Sequence, residues 1–290
     1  MQQLRIGIPK GSLESATIAL FDQAGWSIAT RSRNYFPDID DAEITCALVR
    51  SQEMAPYVEN GTLDLGLTGQ DWILETRSDV AEVCELVYSK STDQPARWVL
   101  IVRDNSTIQS IADLDGKRIA TELVDFTKRY LAERNVAAKV AFSWGATEAK
   151  VVEGLVDAAV EITETGSTIR AHGLRIVCDL LHTHTRLIAN KAAMEDPWKK
   201  RKIDQIALLL QAALAARRKV ALKMNVPADR IDQVVSVLPS LQAPTVSHLY
   251  NRDWLAVETV VGGHEIRDLI PRLKMAGATG ILEYELRKIV

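Results

Sequence analysis

The sequence lacks an excess of basic residues, and this absence limits the partners it can have. Lysine and arginine number 35 and aspartate and glutamate 38 among 290 residues, which gives a formal net charge of −3. Without a large positive charge, the chain has no long-range attraction for nucleic acid or for an anionic membrane. We therefore expect neither as a partner, and we expect any phosphate binding to be local.

Long hydrophobic runs and paired cysteines are also missing. No stretch approaches the roughly 18 uninterrupted apolar residues of a membrane-spanning helix, and the N-terminal residues do not resemble a signal peptide. The cysteines, Cys46, Cys84 and Cys178, are far apart and form no Cys-x-x-Cys motif, which favours buried free thiols over disulfides or metal ligands. These features predict a cytoplasmic protein.

Three familiar motifs of nucleotide binding and catalysis are absent. The chain contains no Gly-x-x-x-x-Gly-Lys-[Ser/Thr] P-loop, no Gly-x-Gly-x-x-Gly fingerprint and no Gly-x-Ser-x-Gly nucleophile elbow. His182 and His184 have a spacing that suits a metal, but we attribute them to a polar surface or hinge. Covalent catalysis has little support, so any chemistry should be a direct displacement.

The sequence is rich in short β-type runs that alternate with amphipathic stretches from residue 4 to about 190, which is typical of βα units around mostly parallel sheets. The first unit has a strand over 4–8 and a helix that Ser12 caps and Gly25 ends. A later strand is expected to end in a tight turn at Thr68-Gly69. The pattern restarts near Arg97, which indicates a second lobe with crossovers near residues 90 and 182.

The last third of the chain has a different pattern. Asp196-Pro197 is a strong helix start, and the helix should continue to about Arg218. Beyond it, the residues up to Tyr284 read as a ferredoxin-like βαββαβ module. The predicted domains of this α/β protein are lobe I at 1–90 plus 182–212, lobe II at 91–181, and a C-terminal domain at 213–290.

The most informative segment is residues 158–168, a buried strand that runs into Thr-Gly-Ser-Thr at a helix start. Gly166 would let the backbone approach an anion, and Thr165, Ser167 and Thr168 would add hydroxyl donors. The neighbouring carboxylates of Glu161 and Glu164 suit ribose hydroxyls or a metal-bound diphosphate. The spacing supports a sugar-phosphate site and an ordinary capped helix turn equally.

Other strand ends carry polar groups. Lys10-Gly11-Ser12 lies at the mouth of the first strand, where ligands bind in open α/β sheets, although a lone lysine there is more often solvated. Asp71, after the Gly66–Gln70 turn, either binds a ligand or, more simply, caps a helix. Glu148 begins a helix near Glu161, where a helix-dipole role is equally supported.

Three arginines also lie at or beside strands. Arg50, Arg97 and Arg103 could converge on phosphates across a cleft, although each alone is more often a surface residue.

Three segments together resemble one family. Residues 5–13 (RIGIPKGSL), 64–71 (DLGLTGQD) and 161–168 (EITETGST) are similar, in this order, to ATP phosphoribosyltransferase, and residues 238–246 resemble the regulatory module of its long form. The resemblance spans essentially the whole chain. It implies a two-lobed catalytic core of the type II periplasmic-binding-protein fold, followed by an ACT-like ferredoxin-like domain.

The resemblance also implies a reaction, the first step of histidine biosynthesis. N1 of the adenine of ATP would displace pyrophosphate from C1 of phosphoribosyl pyrophosphate, with Mg²⁺ held mainly by the substrates. Glu161 and Lys10 would be catalytic. The matching positions for phosphoribosyl pyrophosphate are Glu161, Thr163, Glu164, Thr165, Gly166, Ser167 and Thr168. Those on the nucleotide side are Lys10, Gly11, Ser12, Arg50, Gly69, Gln70 and Asp71.

By the same resemblance, L-histidine would inhibit the enzyme by binding the C-terminal domain. The matching positions are Asn225, Leu241, Thr245 and Ala278. Asn225 stands where the family has aspartate, and an amide lacks the charge that would pair with the ligand's ammonium group, so inhibition should be weaker here. The family also forms dimers and hexamers, which implies a homo-oligomer.

Two other interpretations suit the same fold pattern. A type II solute-binding protein would bind a small anion without chemistry, and a regulator with an amino-acid-sensing tail would bind ligands without turnover. The absence of a signal peptide disfavours the first, and the 161–168 motif disfavours the second.

Overall fold

The protein is described by a computed structural model that covers residues 2–31, 34–88, 96–239, 243–250 and 252–290. The strands are β1 (Leu4–Lys10), β2 (Ile28–Ala29), β3 (Asp38–Ile39), β4 (Ile44–Arg50), β5 (Leu65–Gly69), β6 (Ala81–Leu86), β7 (Ala96–Arg103), β8 (Arg118–Thr121), β9 (Lys139–Phe142), β10 (Ala158–Thr163), β11 (Leu174–Thr183), β12 (Thr185–Ala189), β13 (Lys219–Pro227), β14 (Thr245–His248), β15 (Trp254–Gly262) and β16 (Thr279–Glu285). The helices are α1 (Glu14–Ala24), α2 (Ser51–Glu59), α3 (Gln70–Thr76), α4 (Val124–Ala132), α5 (Thr147–Val152), α6 (Ser167–Ala171), α7 (Lys191–Glu195), α8 (Pro197–Ala216), α9 (Ile231–Val237) and α10 (Ile266–Met275).

The chain divides into two compact units, Met1–Ala207 and Leu208–Val290. The division falls within α8, whose start was predicted correctly. Asp196 Oδ1 accepts hydrogen bonds from the backbone N–H groups of Trp198 and Lys199, each at 2.9 Å. The predicted domain limits stay predictions, and the predicted crossover near residue 90 lies outside the described residues.

The first sheet has the strand order β4-β1-β5-β12-β6. Strand β1 is parallel to β4 and to β5, and its Leu4, Ile6 and Ile8 are fully buried. Glycine is required on the inner strands because a Cβ atom at Gly66 would lie only 2.7 Å from Met54 Sδ of the overlying helix α2. Because parallel strands end at the same edge of a sheet, Lys10, Arg50 and Gly69 lie at one edge.

The second sheet has the order β11-β7-β10-β8-β9, so the restart predicted near Arg97 is confirmed. Strand β10 is parallel to β8 and antiparallel to β7. Its core contains Trp98, Leu100 and Val160, all at most 1% exposed. The ends of β8 and β10 therefore lie together, and these ends carry Glu122 and the 163–168 loop.

The C-terminal unit is the predicted βαββαβ module. Its sheet has the order β14-β15-β13-β16 with antiparallel pairs throughout. Leu222, Met224, Val257 and Leu273 form the centre of its core. The predicted fold class is thus confirmed in both parts.

Local expectations near the first strands need two corrections. Ser12 does not cap α1, because the helix begins at Glu14 with Leu13 as its N-cap residue. Thr68 and Gly69 do not form a tight turn, because β5 stays extended through Gly69, which pairs with Thr185 of β12. Gly25, with φ of 114°, ends α1 as predicted.

The cysteines are free thiols, as predicted, but only Cys46 is fully buried. Burial raises the pKa of Cys46 to about 12 and that of Cys84 to about 11, so both thiols stay protonated at neutral pH. Within the described ranges, no helix combines the length and apolarity needed to span a membrane.

Candidate active site

A cleft of about 460 Å³ lies between the two sheets of the N-terminal unit, and this size suits a small-molecule ligand. Both sheets contribute the ends of their strands to its walls. The lining residues from the first sheet and its helices include Lys10, Gly11, Ser12, Arg50, Gln52, Gly69, Asp71 and Trp72. The second sheet and the return crossover contribute Trp98, Glu122, Ile162, Thr163, Glu164, Thr183 and His184.

The first wall carries two cationic side chains. Lys10 Nζ lies 4.0 Å from the centre of the Tyr35 ring, and the Arg50 guanidinium lies 5.7 Å from that of Trp144. Trp144 follows β9 in the other lobe, so the Arg50 contact reaches across the cleft. Next to Lys10 along the chain, the Gly11 N–H donates to Glu14 Oε2 at 3.3 Å. This wall suits an anion such as a polyphosphate.

Asp71 has a different role from the predicted helix cap. The N-cap residue of α3 is Gly69, and the Asp71 carboxylate instead accepts hydrogen bonds from Trp98 Nε1 at 2.7 Å and Thr183 Oγ1 at 3.0 Å. Trp98 lies in the second sheet and Thr183 ends β11, so one carboxylate joins the two lobes. Burial raises the pKa of Asp71, which is 2% exposed.

Replacing Asp71 by alanine is expected to lower the free energy of unfolding by about 3 kcal/mol, because the buried indole N–H of Trp98 loses its acceptor. Asp71→Asn should cost less, since its amide oxygen can still accept one of the two bonds. Urea denaturation measures both. Asp125→Ala, at an exposed carboxylate, is the control and should stay within about 0.5 kcal/mol of wild type. Equal losses for Asp71→Ala and the control would contradict this role.

The two residues before Asp71 also serve the structure. A Cβ atom at Gly69 would overlap Asp71 Oδ1, so glycine is needed here to let the carboxylate fold back. The Gln70 N–H donates to the His184 carbonyl at 3.0 Å, and Gln70 Oε1 lies 3.5 Å from Arg186 Nη2. Gln70 is not among the cleft-lining residues, whereas Gly69 is.

The 163–168 loop has the geometry of an anion-binding loop, but two of its backbone N–H groups are hydrogen-bonded to hydroxyl groups of the same loop. Gly166, with φ of 71°, is the N-cap residue of α6. Its N–H donates to Thr163 Oγ1 at 2.8 Å, and the Ser167 N–H donates to Thr165 Oγ1 at 3.3 Å. The side chains of Ser167 and Thr168 are exposed. Two backbone N–H groups that we expected to bind phosphate therefore donate to hydroxyl oxygens instead. A bound phosphate would take the place of these hydroxyl oxygens.

Glu161 lies on β10, next to the loop, in an acidic environment. Burial, with a further contribution from Glu148, raises the pKa of Glu161 to about 7, and a hydrogen bond from Thr147 opposes this shift. The Thr147 hydroxyl also lies 2.9 Å from Ser143 Oγ, which accepts a hydrogen bond from Lys150 Nζ at 2.6 Å. A half-buried carboxyl group whose pKa is raised to near neutral is typical of an active site.

Sequence reasoning missed Glu122 and overestimated Arg103. Glu122 follows β8 and lines the cleft, where Gln52 Nε2 of the opposite lobe lies 3.4 Å from its Oε2. Its position at a strand end was the available signal. Arg103 does not reach the cleft, because it donates to the carbonyls of Val151 and Val152 near the end of α5. Arg97 forms an ion pair with Asp179 at 2.8 Å.

The paired histidines contact carboxylates. His182 Nε2 lies 3.4 Å from Asp179 Oδ2, and His184 Nε2 lies 3.4 Å from Glu85 Oε1. Among the described residues, no three His, Cys, Asp or Glu side chains are grouped closely enough to hold a metal ion.

The structure brings together only part of the expected histidine site. Asn225 on β13 pairs with Thr279, the residue after Ala278, and with Ala256 on β15. Ala278 is 1% exposed and packs in the core, whereas Thr245 is exposed on β14, on the far side of β15. Leu241 lies outside the described residues.

The sequence of this chain matches two family models and is similar to known proteins over almost its whole length. The family model described as ATP phosphoribosyltransferase matches residues 50–212, and the one described as the HisG C-terminal domain matches residues 216–288. An ATP phosphoribosyltransferase of Desulfatibacillum aliphaticivorans is 61% identical over 99% of this chain and 98% of its own length. That of Solidesulfovibrio magneticus is 60% identical over 99% and 98%.

A solved structure shares the fold. The ATP phosphoribosyl transferase (HisG:HisZ) complex from Thermotoga maritima contains a chain that superposes with a TM-score of 0.62 at 24% identity, covering 72% of this chain and 99% of that one. The likeness to this structure concerns the fold, whereas the two family models and the full-length relatives show the family. The chain belongs to the ATP phosphoribosyltransferase family.

Proposed function

We propose that the cleft between the two lobes is the site at which this chain joins ATP to phosphoribosyl pyrophosphate. The reaction gives N1-(5-phosphoribosyl)-ATP and pyrophosphate, and it begins histidine biosynthesis. The observation that carries the assignment to the cleft is its division into two walls. One bears Lys10 and Arg50, and the other bears Glu122, Glu164 and the start of the phosphate loop.

The roles follow from the chemistry of the displacement. Adenine N1 supplies the electron pair for the new bond to C1, while the C1–O bond breaks and pyrophosphate leaves with its pair. Lys10 stabilises the negative charge on the departing pyrophosphate or on the ATP phosphates, with Gly11, Ser12 and Arg50 beside it. The Glu161 carboxylate stabilises positive charge at C1. Thr163 to Thr168 hold the 5′-phosphate and orient the sugar.

Mg²⁺ is the metal we assign to the reaction. It takes oxygen ligands and is commonly held by substrate phosphates with few protein carboxylates. When bound, it would neutralise phosphate charge.

The assay mixes protein, ATP, phosphoribosyl pyrophosphate and Mg²⁺ with pyrophosphatase, and follows phosphoribosyl-ATP by ultraviolet absorbance. We expect product. Binding of both ligands without product would instead support the non-catalytic sensor, an interpretation that the named relatives do not favour.

We also propose that L-histidine inhibits the enzyme through the C-terminal unit, that the chain acts as a homo-oligomer, and that it works in the cytoplasm. The match of residues 216–288 to the HisG C-terminal domain supports the first. In the same assay, histidine should slow product formation, and Asn225→Asp should lower the concentration needed, because a carboxylate pairs with the ligand's ammonium group. If histidine changes the rate of neither the wild type nor Asn225→Asp, the C-terminal unit would serve only in the assembly of subunits.

A further inference from the structure

The second lobe holds an arginine beside the phosphate loop to which neither the family motifs nor the proposed function assigns a role. Arg97 lies near the start of β7, between β10 and β11, where it pairs with Thr163 on one side and His182 on the other. Thr163 is the first residue of the 163–168 loop, so the backbone of Arg97 lies directly beside the point where this loop leaves the sheet.

A neighbouring carboxylate fixes the direction of the Arg97 side chain. Arg97 Nη1 donates to both oxygens of Asp179, at 2.8 and 3.1 Å. A guanidinium group is planar, so fixing Nη1 also fixes the direction of Nη2. The pair is only partly exposed, at 29% for Arg97 and 30% for Asp179, so water weakens its interactions less than at an open surface.

Arg97 Nη2 is turned toward the loop. A Cβ atom at Gly166 would lie 4.0 Å from Arg97 Nη2 and 3.2 Å from Arg170 Nη1. Arg170 Nη2 also donates to the Thr165 carbonyl at 3.2 Å. Two guanidinium groups from different elements therefore approach the one residue of the loop that has no side chain. Such groups bind phosphate oxygens through strong, charge-assisted hydrogen bonds.

We propose that Arg97, oriented by Asp179, binds the 5′-phosphate of phosphoribosyl pyrophosphate. The proposal rests on the proposed function of the 163–168 loop and adds to it the cation that the loop's own residues lack. Arg97 is then a binding residue, and Asp179 is a positioning residue that acts through it. The ion pair with Asp179 sets the direction of Nη2, and that direction leads to Gly166.

The same lobe offers a matched control. Arg118 forms an ion pair with Asp157, with Nε and Oδ2 3.3 Å apart, and Asp157 directly precedes β10. The 163–168 loop leaves the opposite end of that strand. Arg118→Gln thus removes an arginine–aspartate pair from the same sheet without touching the loop.

The probe is ribose 5-phosphate, whose binding is measured by calorimetry without turnover. The Arg97→Gln variant loses a charge-assisted hydrogen bond, so it should bind ribose 5-phosphate about 10- to 100-fold more weakly than wild type. The loss should be smaller in Arg97→Lys, and the affinity of Arg118→Gln should stay within about twofold of wild type. In the kinetic assay, Arg97→Gln should raise KM for phosphoribosyl pyrophosphate and leave KM for ATP unchanged. A general loss of structure would not produce this split.

The outcomes separate the two proposals. Equal binding by Arg97→Gln and Arg118→Gln would overturn the role of Arg97 while the enzyme assignment stands. A wild-type protein that binds ribose 5-phosphate but makes no product would overturn the proposed function, and the binding comparison would still decide on Arg97. No binding by wild type would overturn the assignment of the 163–168 loop to the 5′-phosphate, and with it the role of Arg97, while product formation would still decide on the proposed function. If Arg97→Gln does not fold, Asp179→Asn replaces it, and unchanged binding in that variant would overturn the proposal.

Discussion

Glu161→Gln should reduce kcat about 100-fold or more and at the same time make the folded protein more stable at pH 8. The amide keeps the shape of the side chain but cannot offset positive charge at C1, and loss of one preorganised electrostatic group typically costs about 10²–10³ in rate. A core residue would behave in the opposite way, with stability falling alongside activity. Steady-state kinetics and urea denaturation at pH 8 measure the two effects.

The stability gain follows from the direction of the pKa shift. Burial raises the pKa of Glu161 from 4.5 to about 7, so the folded state holds this proton more tightly than the unfolded state does. The stabilisation from this group is complete below pH 4.5 and is lost as pH rises through 7. Glutamine does not ionise, so the Glu161→Gln variant keeps this stabilisation at every pH. Its free energy of unfolding relative to wild type should therefore rise between pH 4.5 and pH 7 and then level off. An equal difference at pH 4 and pH 8 would contradict this account.

Glu148 supplies the control for the role of charge. Its carboxylate is the second cause of the raised pKa of Glu161, after burial. Because removing a like charge lowers the pKa of its neighbour, Glu148→Gln should move the acidic limb of the kcat profile to lower pH while most of the turnover at pH 8 is retained. If the acidic limb of the kcat profile stays at the same pH in Glu148→Gln, that limb does not report the titration of Glu161.

Gly166→Val should raise KM for phosphoribosyl pyrophosphate by about 100-fold or abolish measurable binding. Valine is strained at φ of 71°, and its Cβ would lie 3.1 Å from Ile176 Cδ1 and 3.2 Å from Arg170 Nη1, so the loop has to move. A shift of about 1 Å in a substrate-positioning loop can cost about 10² in rate. The change should appear in initial-rate kinetics with ATP saturating.

Gly173→Val separates the loop's role from backbone strain. Gly173 has a similar φ of 67° and lies just after α6, and a Cβ atom added to it would meet no other atom within 4 Å. Its valine variant should therefore show a comparable loss of stability but nearly normal kinetics. A rise in KM equal to that of Gly166→Val would assign both effects to strain.

The sequence was most informative where a function depends on adjacent residues. Parallel strands end at a common edge, so the motifs at Lys10 and Arg50 could be placed together from the order of the strands in the first sheet. That Thr163 of the second sheet faces the same cleft was implied only by the family resemblance. The βαββαβ unit and the start of α8 follow from short-range patterns of the same kind. Periodicity and strand order thus determine which residues meet at the edge.

Contacts between distant residues were outside the reach of such reasoning. Asp71 and Trp98 are 27 positions apart, and their hydrogen bond depends on how the two lobes pack. The acidic surroundings of Glu161 likewise require α5 to pack on β10, which brings in Glu148 and Thr147. Ser12 shows the limit at short range, since the predicted N-cap residue of α1, Ser12, and the observed one, Leu13, differ by only one position.

The contact of Met54 with the first sheet constrains how this protein can diverge. Side chains at Gly7 or Gly66 would both collide with the same thioether, so a change at either strand requires a compensating change in α2. Substitutions at Gly7 and Gly66 are therefore coupled to each other through Met54. A new side chain at either glycine thus has to arrive together with a different residue in place of Met54.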